Sequence, residues 1–196
     1  MKIALYGKLR SGKTAVCEHI MDKYENVKKI EFSDALQEVV DILYPELKGV
    51  KNREVLVGVG QHMRKYDVDV WTNIVKNRVL NSDERHILVS GVRQQNEYEM
   101  LKGLGFIFIR VEASENTRIK RCIEAGDNFN KESLRNCTEL IMDEWKADYT
   151  ILNEYGFKEL EISIENILND IHTKELKNNF FRDKLEKFRE RTEVEG

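Results

Sequence analysis

A short apolar run, Lys2-Ile3-Ala4-Leu5-Tyr6, leads directly into Gly7-Lys8-Leu9-Arg10-Ser11-Gly12-Lys13-Thr14, and a helical pattern follows. This is the complete GxxxxGK[ST] spacing in the strand-loop-helix setting that gives it meaning. Gly7 and Gly12 permit a tight loop whose backbone N–H groups, through Arg10 and Ser11, converge on phosphate oxygens. Lys13 adds a mobile cation, and the Thr14 hydroxyl is a ligand for Mg²⁺. The next helix presents the positive end of its dipole to the same anion. A chain that opens this way is expected to hold a nucleotide polyphosphate at the end of its first strand.

The rest of the chain supports a domain of that type. At 196 residues and 41% hydrophobic content it can bury one α/β core but hardly two. Short apolar runs at 2–6, 28–32, 86–92, 106–112 and 148–152 alternate with longer helical stretches. That alternation predicts a five-stranded parallel sheet covered by helices in three α/β/α layers. Residues 34–82 are too long for a simple crossover and are expected to form a helical acceptor-binding lobe. Helices are expected over 96–101, 115–125 and 131–146, with 113–146 as a lid region.

A further helix is expected to end near Thr173, closing a kinase-sized domain over 1–173. Residues 174–196 are strongly charged, yet Leu176, Phe180, Phe181, Leu185 and Phe188 fall on one helical stripe. That stripe suits a helix docked on the body of the protein, or a contact between two copies.

Composition excludes several classes. A net charge of −3 gives no general attraction to nucleic acid or anionic membranes, and no apolar run approaches the ~20 residues needed to span a bilayer. Cys17, Cys122 and Cys137 match neither a metal spacing nor a disulfide framework and suggest packed thiols of a reducing cytoplasm. No guanine-recognition NKxD motif is present.

Arginines recur where a second anionic substrate would need them. Arg53 and Arg64 flank Gly58 and Gly60 in the middle lobe, Arg93 ends the third strand, and Arg118 and Arg121 begin the helix after the fourth. Arginine suits this task because its planar fork binds phosphate oxygens in pairs and keeps its charge. Each is also compatible with a solvated surface, Arg110 and Arg121 most of all.

These residues resemble the P-loop nucleoside monophosphate kinases, and among them the phage-type deoxynucleoside monophosphate kinases. The resemblance spans about 1–170 and rests on five segments: the phosphate loop, Phe32-Ser33-Asp34-Ala35-Leu36-Gln37-Glu38, the series Arg53, Gly60, Arg64 and Asp69-Val70-Trp71, Val92-Arg93-Gln94-Gln95-Asn96-Glu97, and Asp148-Tyr149 to Gly156, which looks like the last strand and turn of such kinases. It implies ATP as donor with Mg²⁺, and a nucleoside or deoxynucleoside monophosphate as acceptor.

By that resemblance Gly7, Arg10, Ser11, Gly12, Lys13 and Thr14 hold the donor, and Lys13, Asp34, Arg93 and Arg118 serve catalysis, Arg118 as the lid arginine. Arg53, Arg64, Arg93, Asp34, Tyr66, Trp71 and Glu97 surround the acceptor. Trp71 is equally compatible with core packing, and Glu97 with orienting Arg93. The family commonly ends its third strand with an aspartate where this chain has Gly91, which leaves Asp34 or water to support the metal. Two other readings stay open: a hydroxyl-acceptor kinase like dephospho-coenzyme-A kinase with Asp34 as base, and a nucleotide-binding regulatory module without turnover.

Overall fold

The computed structural model describes residues 1–50, 52–126 and 141–194, with the backbone alone at 53, 183 and 185–194. The chain divides into two compact units, Met1–Tyr155 and Gly156–Gly196. The first contains strands β1 (Lys2–Tyr6), β2 (Val27–Glu31), β3 (His86–Val92), β4 (Ile107–Glu112) and β5 (Tyr149–Leu152). All pair in parallel in the order β2-β3-β1-β4-β5. The helices are α1 (Lys13–Lys23), α2 (Phe32–Leu43), α3 (Arg53–Arg64), α4 (Val70–Leu80), α5 (Gln95–Gly103), α6 (Glu115–Glu124) and α7 (Phe157–Val194).

The central strands are nearly continuous apolar runs because both faces of a parallel sheet are covered. Ile3, Ala4, Leu5 and Tyr6 of β1 are all at most 1% exposed. β2 is an edge strand, and it alternates Lys28 and Lys29 with a single buried Ile30, a composition that discourages edge pairing. On one sheet face Tyr6, Phe108, Tyr98 and Trp145 form an aromatic cluster, with Tyr98 and Trp145 stacked at 5.0 Å. The Tyr6 hydroxyl donates to the Trp145 carbonyl at 3.1 Å, and burial pushes its pKa up to about 12.

The third strand contains an irregularity with consequences for the site. β1 and β3 run in step to Leu5↔Ser90, but Tyr6 is opposite Val92, so Gly91 is an extra residue in β3. Its φ of +78° lies in the left-handed region, where glycine is the residue without a Cβ penalty. Gly91 thus makes a β-bulge at the position where the resemblance led one to look for a carboxylate.

Several predicted boundaries shift. The strand expected over 28–32 ends at Glu31, and Phe32 already begins α2. The expected 96–101 helix is α5, longer at both ends. Most of the helix expected over 131–146 lies outside the described residues, and its end is a short 3₁₀ turn, Met142–Glu144. The helix expected to stop near Thr173 instead runs unbroken through Val194, since neither glycine nor proline interrupts 157–194. In this second unit Leu160, Ile164, Leu168 and Ile171 are buried, whereas Leu176, Phe180 and Phe181 are exposed. The side chains of Leu185 and Phe188 lie outside the described residues. No helix among the described residues is long and apolar enough to cross a membrane.

Candidate active site at the phosphate loop

The loop Gly7–Gly12 joins β1 to α1 at the carboxyl end of the sheet, where open parallel sheets place their ligands. Its two glycines are steric requirements. A Cβ on Gly7 would lie 2.2 Å from the Val111 carbonyl oxygen, and one on Gly12 would lie 2.0 Å from Asn153 Nδ2. Gly12 has φ +106° and sits immediately before the first turn of α1. Arg10 is also left-handed, at φ +59°, a cost that a loop built around a ligand commonly carries.

The carbonyl oxygens of this loop are each held from outside. Lys13 Nζ donates to the oxygens of Gly7 at 2.8 Å and Lys8 at 3.0 Å. Arg118 Nη1 reaches Leu9 O at 3.4 Å, and Arg121 Nη1 reaches Arg10 O at 3.2 Å and Ser11 O at 3.4 Å. Asn153, at the end of β5, donates from Nδ2 to Ser11 O at 2.9 Å. With the carbonyls of Gly7 through Ser11 engaged by these cations and amides, the loop leaves N–H groups to form an anion cradle. The Ser11 side chain is 0% exposed and its Oγ has no hydrogen-bond partner. A buried hydroxyl left in this way fits a site completed by phosphate oxygens.

Arg118 was expected to be a lid arginine. It is 5% exposed in α6, with its guanidinium against the Leu9 carbonyl, so it braces the loop. Arg121, set aside in the sequence reading, joins it there, and Asn153 was missed altogether. Only the three-residue spacing of the two arginines pointed to this; Asn153 carried no signal, because its partners Ser11 and Arg121 lie in distant segments of the chain.

Several residues expected around an acceptor lie beyond β3. Because Val92 is the partner of Tyr6, the chain leaves β3 at Arg93 beside the point where β1 enters Gly7. The Arg93 side chain is exposed, while its backbone N–H donates to Glu97 Oε2 at 2.7 Å. The same oxygen accepts from Gln94 N at 3.1 Å, and Glu97 Oε1 lies 3.7 Å from Arg64 Nη2 on α3. Arg64 and the Arg93 backbone are therefore joined through one carboxylate. Glu97 is 2% exposed. Burial raises its pKa above the usual carboxylate range, and the Arg93 and Gln94 N–H groups and the Arg64 charge oppose that rise.

Other expected acceptor residues separate. Trp71 is 2% exposed and donates from Nε1 to Gly60 O at 3.2 Å, which makes it a core residue and not a stacking platform. Tyr66 is 79% exposed and packs edge-on to His62. Asp34 is exposed in the first turn of α2. Arg53 opens α3, with its side chain outside the described residues.

Thr14, the second residue of α1, is exposed beside Lys13. Among the described residues no cluster of three or more His, Cys, Asp or Glu could hold a metal alone. One hydroxyl beside a polyphosphate fits Mg²⁺, which keeps several waters and needs few protein ligands.

A groove of about 1130 Å³ lies along edge strand β2 by Lys28, Lys29, Asn77 and Arg78, with no residue of the loop among its walls. A smaller cavity of about 270 Å³ borders Gly7 and Lys8, and its walls include Arg110, Glu112 and Asp143. Chemistry and not volume locates the site: the braced loop is where an anion can be bound.

Comparison with known proteins agrees with this architecture. Shikimate kinase from Acinetobacter baumannii in complex with shikimate superposes with a TM-score of 0.58 at 18% identity, covering 89% of this chain and 94% of that one. Shikimate kinase from Aquifex aeolicus gives 0.51 at 16%, covering 90% and 99%. Dephospho-CoA kinase from Campylobacter jejuni gives 0.54 at 12%, covering 87% and 96%. The fold is thus that of the P-loop kinases. No curated protein sequence matches this one. A family model described as AAA domain matches residues 3–143, which contain the phosphate loop, the helical lobe, the β3–α5 turn and α6, and the chain belongs to that AAA domain family.

Proposed function

We propose that the protein transfers the γ-phosphoryl group of ATP to a nucleoside or deoxynucleoside monophosphate. The observation that carries this reading is the Glu97 carboxylate at the end of β3, which links Arg64 of the lobe to the backbone of Arg93. Arg93 emerges beside Gly7, and Arg64 approaches the same turn through Glu97. Phosphoryl transfer depends mainly on alignment and on cancelling charge between two anionic groups. A braced donor loop next to two arginines suits an acceptor that is itself a phosphate.

In this reading Gly7, Gly12 and Ser11 receive the donor phosphates, and Lys13 swings from the loop carbonyls toward them. Arg10 borders the same anion. Mg²⁺, held by Thr14 and water with Asp34 as a candidate to bind one such water, would neutralise charge between the terminal phosphates. Arg64 and Arg93 orient the acceptor phosphate, with Arg53 at the start of α3 as a further candidate. No strong general base is required, because the attacking oxygen is already ionised.

A second reading has support of its own. The similar solved structures include kinases named for shikimate and dephospho-CoA, and Asp34 is exposed at the start of the lobe. With a hydroxyl acceptor, Asp34 would take the hydroxyl proton.

A coupled ADP-release assay with Mg-ATP and a panel of ribo- and deoxyribonucleoside monophosphates separates the readings. Turnover that depends on a monophosphate supports the first. Turnover only with alcohols, abolished by Asp34→Asn, replaces it with the second. ATP binding without acceptor-stimulated turnover overturns both in favour of a regulatory module.

A further inference from the structure

The turn from Gln94 to Glu97 makes more connections than a strand-to-helix junction needs. Gln95 Oε1 accepts from Trp145 Nε1 at 2.6 Å. Asn96 Nδ2 faces Val68 O at 3.1 Å, Asp69 Oδ1 at 2.7 Å and Thr72 Oγ1 at 3.1 Å, fastening the α3–α4 connection to the end of β3. Glu97 divides its two oxygens, Oε2 to the Arg93 and Gln94 N–H groups and Oε1 toward Arg64.

Capping alone does not account for a glutamate here. Glutamine reaches back to the N-terminus of a helix as readily as glutamate does. An ionised carboxylate at 2% exposure is costly unless a cation and hydrogen bonds compensate it. Glutamate differs from glutamine here in its charge and in carrying a second acceptor oxygen in place of an amide donor, and on the lobe side that charged oxygen points at Arg64. The 3.7 Å separation is an ion pair without a tight hydrogen bond, which leaves the guanidinium its donors for a ligand.

We infer that Glu97 is a positioning residue: its carboxylate holds Arg64 of the lobe in register with Arg93, so that both arginines meet one acceptor anion without Glu97 touching it. This rests on the proposed monophosphate reading for its kinetic consequence, but not for its structural one.

The test is Glu97→Gln, which keeps the helix cap and removes the charge. With a monophosphate acceptor its KM is expected to rise about tenfold, while kcat and the KM for ATP stay within about twofold. A variant with unchanged acceptor KM, or with equal losses in both substrates, would overturn the inference.

A second measurement is independent of turnover. The Arg64 Nε–H resonance, assigned by its loss in Arg64→Lys, is expected to be shifted and exchange-protected in the wild-type protein and to collapse to the solvent-exposed position in Glu97→Gln. An Arg64 resonance unmoved by the substitution would also sink it. Should the wild type phosphorylate no monophosphate, the functional reading falls and this resonance still decides the inference. If Glu97→Gln fails to fold, protection of Arg64 in the wild type decides it.

Discussion

Arg121 holds Asn153 at two points: its Nη2 donates to the asparagine carbonyl at 3.0 Å and to Oδ1 at 3.2 Å. This double contact fixes the amide so that Nδ2 points at Ser11 O. A helix after β4 and a turn after β5 thereby share control of the phosphate loop. Both contacts are part-buried or buried, where a lost partner costs more than at the surface.

Asn153→Ala should therefore leave the loop under-supported although the residue lies far from it in sequence. We expect a stability loss of about 1–3 kcal/mol and weaker nucleotide binding. Thermal melting with and without Mg-ATP measures both, and an unchanged melt would show that the amide is dispensable.

Gly12→Ala places a methyl group where Asn153 Nδ2 stands, at a φ of +106°. Nucleotide affinity should fall by at least about tenfold, roughly 1.4 kcal/mol, with secondary structure retained. Titration with a fluorescent ATP analogue reads the loss. Wild-type affinity would mean that the loop tolerates another shape.

Gly91→Asp restores the carboxylate that the resemblance leads one to expect. A Cβ there meets nothing within 4 Å, so the effect comes from the backbone, at φ +78°. A side chain in the left-handed region costs roughly 1–2 kcal/mol, and denaturant unfolding should show a loss of that size. A neutral or stabilising outcome would mean that the bulge relaxes.

Glu97 gives a pH dependence whose sign follows from its burial. Burial raises its pKa in the folded state above the ordinary carboxylate range, so the native state holds the proton more tightly than the unfolded chain does. The charged groups acting on it are Arg64 and Arg93, and neither cancels the burial. The stability contributed by the protonated form is complete below the unfolded pKa and is lost as pH rises through the native value. Stability of Glu97→Gln relative to wild type should therefore improve as pH rises from the ordinary carboxylate range through the raised native value. Chemical denaturation across that range checks it, and parallel profiles would contradict it.

Arg93→Ala should raise the acceptor KM or reduce turnover by about tenfold or more, since a charge-assisted contact to phosphate is lost. ATP binding measured alone should not change. Equal effects on donor and acceptor would place Arg93 on the donor instead.

The sheet was readable because its central strands are short apolar runs closed by turns, and Lys2–Tyr6 and His86–Val92 match their predicted limits. The loop was readable because its chemistry is local: eight consecutive residues carry it. Arg118, Arg121 and Asn153 could not be assigned in the same way, since their role depends on β1, β4 and β5 being neighbours, a property of topology and not of spacing. Gly91 misled for a related reason. Its identity reads as a missing carboxylate, whereas its function in the fold is to offset β3 against β1 by one residue. Trp71 was ambiguous because a large aromatic suits a core and a ligand wall equally; only its hydrogen bond to Gly60 distinguished them.

The tethering of the loop carbonyls by side chains from α6 and the end of β5 carries a thermodynamic consequence. Conformational entropy that a floppy loop would surrender on meeting its ligand has here been surrendered during folding. Nucleotide capture can then proceed into a preorganised receptor, with the greater part of any closing movement left to elements other than the loop itself.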